Sequence, residues 1–432
     1  MEGLMRVGFG LFGLAVLIGI TWLFSTNKRR VDWRLVGIGL LLQLVVASLV
    51  LLTPWGARVF DTLSSGFVTL LGFTTEGARF IFGDFSDPSK FGFVFAFQVL
   101  PTIIFFASFM GVLYHLGVMQ KIVQGMAWVI TKLMRVSGAE TLSVCANAFI
   151  GQTEAPLVVR PYVSKMTPSE LLTLMVGGMA TIAGGVLGAF VLILGGGDPA
   201  QQAFYAKHLI TASIMAAPAT IVIAKILVPE TLEPLTRGAV RVEVEKTTAN
   251  VIDAAAAGAA DGLKLALNVG AMLLAFIALI ALLNGPLVWL GEVTGLQDAL
   301  GRPTNLSALL GYVLAPLAWV IGVPWQDAGT VGGLIGTKVV LNEFVAYVQL
   351  GEILRGNVEG VTLSPQATLI ATYALCGFAN FSSIAIQIGG IGGIAPERRQ
   401  DLARLGLRAV LGGSIATMMT ATIAGVLTYL GS

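Results

Sequence analysis

The sequence predicts an all-α polytopic membrane protein with about eight transmembrane helices, two re-entrant helical hairpins and interfacial helices, built as an inverted repeat. Three observations predict it. Of the 432 residues, 56% are hydrophobic and 12% charged, about half the roughly 25% charge of soluble domains, and mean hydropathy is +0.85. Apolar runs near the ~20 residues needed to cross a bilayer recur along the whole chain. Two further apolar stretches are interrupted by polar residues, at "GQTEAPL" and at Asn342-Glu343.

The first two spans are expected at 3–24 and 34–53. The run from Gly3 to Phe24 is too long and too apolar for a cleaved leader. Residues 54–90, with Pro54, Arg58, Asp61 and "FGDFSDPSK", read as an interfacial helix and loop, which closes an N-terminal part at 1–92. A span at 93–117 follows. Then "VMQKIVQGMAWVITKLMR" sets Lys121, Lys132 and Arg135 beside an apolar face, the pattern of a helix lying at the headgroups. Spans are also expected at 167–195, 204–228, 262–284, 367–395 and 403–430. The polar linker 229–261 divides the chain between them.

The two interrupted stretches lie at 139–164 and 326–352. Each half holds about a dozen residues, roughly 18 Å of helix against a ~30 Å hydrocarbon core. Neither half crosses alone, so each stretch is either a hairpin or a kinked span. Basic residues arbitrate. If both are hairpins, 18 of the 26 basic residues fall on one face, among them Lys28, Arg29, Arg30, Arg34, Arg241, Lys246 and Arg398, and 7 fall on the other, including Arg302. Lys338 lies within a hairpin. If both stretches cross, the split is 13 to 12. The positive-inside rule selects two hairpins, with both termini outside.

The order span, amphipathic helix, hairpin, broken span, span then occurs twice, at 93–228 and 262–432. "GGMATIAGG" aligns with "CGFANFSSI", pairing Thr181 with Asn380, and Glu154 pairs with Glu343. Both broken spans open on a hydroxyl N-cap followed by proline, Thr167-Pro168 and Ser364-Pro365, and Glu170 completes a capping box in the first. Inverted repeats with helices broken near the midplane are the architecture of secondary transporters.

Composition and motifs exclude other classes. A net charge of +2 suggests no nucleic-acid partner. Cys145 and Cys376 stand alone, without disulfide or metal spacing. No HExxH, paired-Asp or Ser-His signature is present, so no enzyme is expected. Chemistry concentrates at the hairpin tips. A carboxylate deep in a membrane costs at least ~2.5 kcal/mol, so Glu154 and Glu343 call for a partner or ligand; the bland alternative is that each caps a helix. Asn380, Ser382 and Ser383 interrupt the span 367–395, as ligands or as packing glue. Phe378 is by default a packing residue, though an aromatic near a polar tip can stack on a flat ligand. Asn147, one turn before Gly151, can aim its amide oxygen at the broken end beside the free Ile150 carbonyl. With Thr181 it makes an oxygen set suited to a monovalent cation, ordinary helix–helix hydrogen bonding being the alternative.

"GQTEAPLVVRPYV", "VLNEFVAY" and "CGFANFSSIAIQIGGIGGIAP" together resemble the concentrative nucleoside transporters, most of all the bacterial type, over nearly the whole chain. The resemblance implies a homotrimer whose transport part moves as an elevator against a scaffold. It implies sodium-coupled import of uridine-like nucleosides at a bacterial inner membrane, sodium being a coupling ion and not a cofactor; proton-coupled members also exist. By motif, Gly151, Gln152, Thr153 and Glu154 face the nucleobase, with Val186 and Phe378 beside it. Glu343, Asn380 and Ser383 hold the ribose. Sodium falls to Asn147, Ile150, Thr181 and Ile182. The rival readings are a carrier of another polar solute such as a nucleobase, a gated channel or receptor, and an intramembrane enzyme.

Overall fold

The structure is a computed structural model that describes residues 2–237, 248–297 and 304–431; every regular element among them is helical. Arg241, Lys246 and Arg302 of the charge argument, and residues 238–247 of the linker, lie outside the described residues.

The chain begins with α1 (Glu2–Leu23) and α2 (Trp33–Leu52), the latter capped by Asp32. The interfacial segment is a single 29-residue helix, α3 (Pro54–Phe82), started by the Thr53 hydroxyl and proline at its first position. After α4 (Pro88–Phe91) come α5 (Phe95–His115) and the amphipathic α6 (Val118–Met134). The first hairpin is α7 (Gly138–Asn147), a loop, the 3-10 turn Ala155–Val159 and α8 (Arg160–Val163). The following span is broken into α9 (Pro168–Ala180) and α10 (Gly184–Gly195), and α11 (Pro199–Leu227) closes the first half. The second half holds α12 (Val251–Val293), α13 (Leu306–Val320), the second hairpin α14 (Trp325–Val340) and α15 (Glu343–Leu354), the broken span α16 (Pro365–Ala374) and α17 (Phe381–Ile394), and α18 (Arg399–Gly431).

Among the described residues seven spans are long and apolar enough to cross a membrane, one of them α9 and α10 taken together. The eighth expected span, 367–395, is the pair α16 and α17, neither of which reaches across alone. Two segments differ from the sequence reading. The span expected at 262–284 runs from Val251 to Val293, because "VIDAAAAGAAD" is Ala-rich enough to extend the helix despite its two aspartates. The amphipathic helix that the repeated order places between 284 and 326 is filled by α13, which is uncharged throughout and meets α14 at 117°.

Each hairpin leaves at the end where it enters. The Lys225 Nζ lies 2.8 Å from a Glu140 carboxylate oxygen in the first turn of α7 and 3.0 Å from the Ser169 hydroxyl in the first turn of α9. In the second half, Asp327 in the first turn of α14 accepts from the Ser364 hydroxyl that caps α16, at 2.5 Å. Both ties join a hairpin to the broken span that follows it. A buried Lys–Glu contact of this kind specifies position more than it stabilises, since desolvation offsets most of the attraction.

The core is formed by the hairpins, the broken spans, α11 and α18, and 89% of the apolar window is buried in each of those last two helices, against 17% in α12. Helices α5 and α12 pack along each other at the periphery through small residues. A Cβ on Gly258 would come within 2.6 Å of the Ala107 carbonyl oxygen, so this approach requires glycine. The Ser108 hydroxyl seals the contact by donating to the Ala255 carbonyl at 2.8 Å.

Candidate functional site

Hairpin 1 contributes its tip. A capping box at Ser137 and Glu140 starts α7, and the helix ends at Asn147. The backbone then unwinds, and the Phe149 carbonyl accepts from the Gly184 N–H at 2.9 Å, docking the tip on the gap between α9 and α10. The Glu154 carboxylate folds over the Gly151 Cα, so a Cβ there would push this exposed side chain aside. Glu154 is exposed and accepts from the Thr153 hydroxyl at 2.8 Å. Sequence reasoning expected both Glu154 and Glu343 deep in the protein; the structure puts only Glu343 there.

That partner, Glu343, is 3% exposed in the first turn of α15. Asn342 caps the helix by accepting from the Val345 N–H at 2.9 Å. Asn380, the N-cap of α17, donates to the Glu343 carboxylate at 2.9 Å. Its side-chain oxygen meanwhile accepts from the Ser383 N–H at 2.9 Å and the Ser382 hydroxyl at 2.7 Å. Because the cap uses the oxygen, the amide N–H pair must face Glu343. The Ser383 hydroxyl accepts from Gln152 Nε2 at 3.2 Å, and Gln152 Oε1 accepts from Gln387 Nε2 at 3.1 Å. Gln387 also donates to the Met175 carbonyl at 3.0 Å. One polar network therefore runs from the tip of hairpin 2, through the break before α17, to the tip of hairpin 1 and onto α9.

Glycines make room for it. A Cβ on Gly178 would stand 2.6 Å from Gln387 Nε2 and 2.8 Å from Gln152 Cβ, and one on Gly390 would meet Thr153 at 3.0 Å. The structure thus gathers Gln152, Thr153, Glu343, Asn380 and Ser383. Phe378 is half-buried at the same break, its carbonyl accepting from the Asn380 N–H at 2.9 Å, and Val186 is buried in the first turn of α10. Gln387 was missed by sequence reasoning. Its one signal is that it is the sole polar side chain between Ile384 and Ile394.

The cation candidates also converge. Asn147 is 1% exposed; its Nδ2 donates to the Ser143 carbonyl at 3.2 Å, and its Oδ1 has no donor among the described residues. A buried acceptor without a donor costs about 1–3 kcal/mol unless something fills it. Thr181 caps the end of α9, its hydroxyl donating to the Gly177 carbonyl at 2.9 Å. Gly177 lies against Asn147, since a Cβ there would stand 3.5 Å from Asn147 Nδ2. Ile182 is buried and Ile150 half-buried beside these two ends. Uncharged oxygens at two helix ends fit a monovalent cation carried as cargo.

The sequence matches three family models: "Na+ dependent nucleoside transporter N-terminus" over residues 12–85, "Nucleoside recognition" over 96–197, and "Na+ dependent nucleoside transporter C-terminus" over 208–425. It is 41% identical to the nucleoside permease NupC of Helicobacter pylori, covering 97% of each chain. It is 40% identical to the sodium/nucleoside cotransporter 1 of Mus musculus over 96% of this chain and 63% of that protein. Among solved structures it is similar to CNTnw in an inward-facing substrate-bound state, with a TM-score of 0.87, 44% identity and 99% of each chain covered. A CNTnw variant in an outward-facing state gives a TM-score of 0.89 at 44% identity, with 99% of each chain covered.

Proposed function

Because this chain belongs to the Na+-dependent nucleoside transporter family, and so is a membrane transporter and not an enzyme, we propose that it is a sodium-coupled symporter that imports uridine-like nucleosides across a bacterial inner membrane. The observation that carries the proposal is the pairing of buried Glu343 with Asn380, one network away from Gln152. A carboxylate accepts from vicinal hydroxyls, and Asn380 and Ser383 add neutral polar groups for the rest of a ribose. The Gln152 amide offers a donor and an acceptor to a base edge, with Thr153, Glu154 and Gly151 around it and Phe378 and Val186 as apolar walls.

Coupling follows from where sodium would sit. Asn147, Thr181 and the carbonyls of Ile150 and Ile182 belong to the same two helix ends that dock the hairpin 1 tip, so an ion there fixes the position of Gln152. At 100 mV, one charge moved inward contributes ~2.3 kcal/mol, which sustains roughly forty-fold accumulation at 1.4 kcal/mol per tenfold. An elevator is supported by the ties of Glu140–Lys225–Ser169 and Asp327–Ser364, which make hairpins and broken spans one body; α5 and α12 pair beside it, and α5 meets it along α10, where a Cβ on Gly188 would stand 2.9 Å from Thr102. The exposed apolar face of α12, with Leu274 78% and Leu282 69% exposed, suits lipid or neighbouring copies in a homotrimer.

Counterflow of labelled uridine into proteoliposomes tests the reading. Sodium-dependent trans-stimulated uptake is expected, with chromatography recovering unchanged uridine. Sodium-independent uptake driven by a pH gradient would replace the coupling ion. Preference for uracil over uridine would replace the substrate.

A further inference from the structure

A hollow of about 330 Å³ opens between the start of α2, the end of α6, the start of α7 and the chain after α11. It lies at the hairpin 1 entrance, on the face that the basic residues assign to the cytoplasm. Four arginines line it: Arg30, Arg34, Arg135 and Arg237. All four are exposed, and no carboxylate pairs with any of their guanidinium groups among the described residues. The acids nearby are engaged elsewhere. Asp32 caps α2 by accepting from the Arg34 and Leu35 N–H groups at 2.9 and 3.2 Å. Glu140 and Glu230 hold Lys225 at 2.8 and 3.2 Å. With Lys225 and the three carboxylates counted, the lining still carries a formal net charge of +2, which a bound anion would balance.

Backbone geometry adds a second observation. Arg135 closes α6 at φ 56°, the single non-glycine residue with positive φ among those described. Glycine or asparagine ordinarily fills such a helix end, and a long side chain there costs roughly 1–2 kcal/mol. Strain kept in place of an easy glycine marks a side chain with a task. Leu35, Ile38 and Leu133 add apolar lining to the hollow. Trp33 and Trp128, 55% and 62% exposed on the same helices, place this level at the headgroups.

We propose that this hollow binds a phosphate-bearing anion, the headgroup of an anionic phospholipid or a soluble phosphate ester. Guanidinium forks match phosphate oxygens in pairs, and basic pockets between helices on the cytoplasmic side take such groups. The ligand would bridge α2 and α6 to the entrance of hairpin 1. The inference is independent of which solute the protein carries.

The test uses the full chain purified in neutral detergent, with added phosphatidylglycerol, phosphatidylcholine, glycerol 3-phosphate or inorganic phosphate. Thermal midpoints and native mass spectrometry are the readouts. The variant pair Arg135→Asn and Arg237→Gln removes two guanidinium groups, and asparagine suits the left-handed backbone. Lys132→Gln removes one charge from α6 outside the hollow, the match for Arg135→Asn alone; its amine lies 4.9 Å from the Trp128 ring centre. Phosphatidylglycerol should raise the midpoint and be retained in the wild type and in Lys132→Gln. In the pair its apparent Kd should rise about tenfold or more, or ~1.4 kcal/mol. If the pair folds poorly, Arg135→Asn alone serves, with an unliganded midpoint no lower than wild type and a weakened phosphatidylglycerol shift. A shift reproduced by glycerol 3-phosphate or phosphate supports a soluble anion; a shift confined to phosphatidylglycerol supports the lipid. An equal shift with phosphatidylcholine, or a Lys132→Gln loss as large as that of the pair, overturns the proposal.

Discussion

Asn380 donates to the Glu343 carboxylate at 2.9 Å while its own oxygen holds the Ser383 N–H at the start of α17, also at 2.9 Å. One side chain thus fixes the position of a buried carboxylate and the restart of a broken helix. Displacing either disturbs the other, which makes this pair the first place to test.

Glu343→Gln keeps shape and loses charge. Hydrogen bonds to charged groups carry ~1.5–3 kcal/mol, so nucleoside affinity is expected to fall by at least ~2 kcal/mol. A nucleoside lacking the 3′-hydroxyl should compete poorly against wild type and lose less additional affinity in the variant. Competition binding in membranes reads both. Equal competition by uridine, its 3′-deoxy analogue and uracil would mean that Glu343 does not read sugar.

Asn147→Leu and Thr181→Val remove the two side-chain oxygens proposed to hold the ion at the ends of α7 and α9. Uptake by proteoliposomes should weaken and its dependence on sodium concentration should flatten in both. An unchanged sodium response in the double variant would move the ion elsewhere.

Gln387→Leu leaves Gln152 Oε1 without its donor in a site that holds it at 3.1 Å. A net hydrogen bond is worth ~0.5–1.5 kcal/mol, so a two- to tenfold rise in uridine KM, roughly, is expected with sodium affinity kept. Initial rates over a uridine and a sodium series separate the two. A changed sodium affinity with unchanged KM would assign Gln387 to the ion.

Residues flanking hairpin 1 should label from one side of the membrane. Glu140 is fully buried and cannot report; Lys132→Cys and Lys165→Cys replace exposed residues and can. Both should resist an impermeant maleimide on intact cells and react once the cells are opened. Opposite behaviour would turn the hairpin into a crossing span.

The parts of this architecture that the sequence disclosed are those written in local chemistry. Thr167, Pro168 and Glu170 form the capping box expected of them, and Ser364 caps α16 by accepting from the Ala367 N–H at 3.2 Å. The interruptions at 151–156 and at Asn342 fall where the helices break. The bounds of α13 escaped because its 15 residues rise only about 22 Å at 1.5 Å each, below a spanning window, and carry no charged face to mark them. Gln387 escaped because a single amide in an apolar run has no periodicity; its meaning comes from Gln152, 235 residues away. The exposure of Glu154 against the burial of Glu343 was equally hidden, since the pattern around the two carboxylates is alike and only their neighbours differ.

Lys338 sits in the second hairpin, 1% exposed, its amine donating to the Ala374 carbonyl at 2.9 Å and the Thr417 hydroxyl at 3.0 Å. Those partners lie 36 and 79 residues downstream. At ~5–20 residues per second, Thr417 leaves the ribosome roughly 4–16 s after the lysine. A lysine amid hydrocarbon costs ~2.5–3.5 kcal/mol in the meantime, so hairpin 2 is expected to wait at the membrane surface and to sink in only when α18 has been made. Nascent chains stalled before Thr417 should leave 326–352 open to protease, whereas chains stalled beyond the end of α18 should protect it. The order in which the helices are synthesised then decides when this carrier becomes a closed barrier.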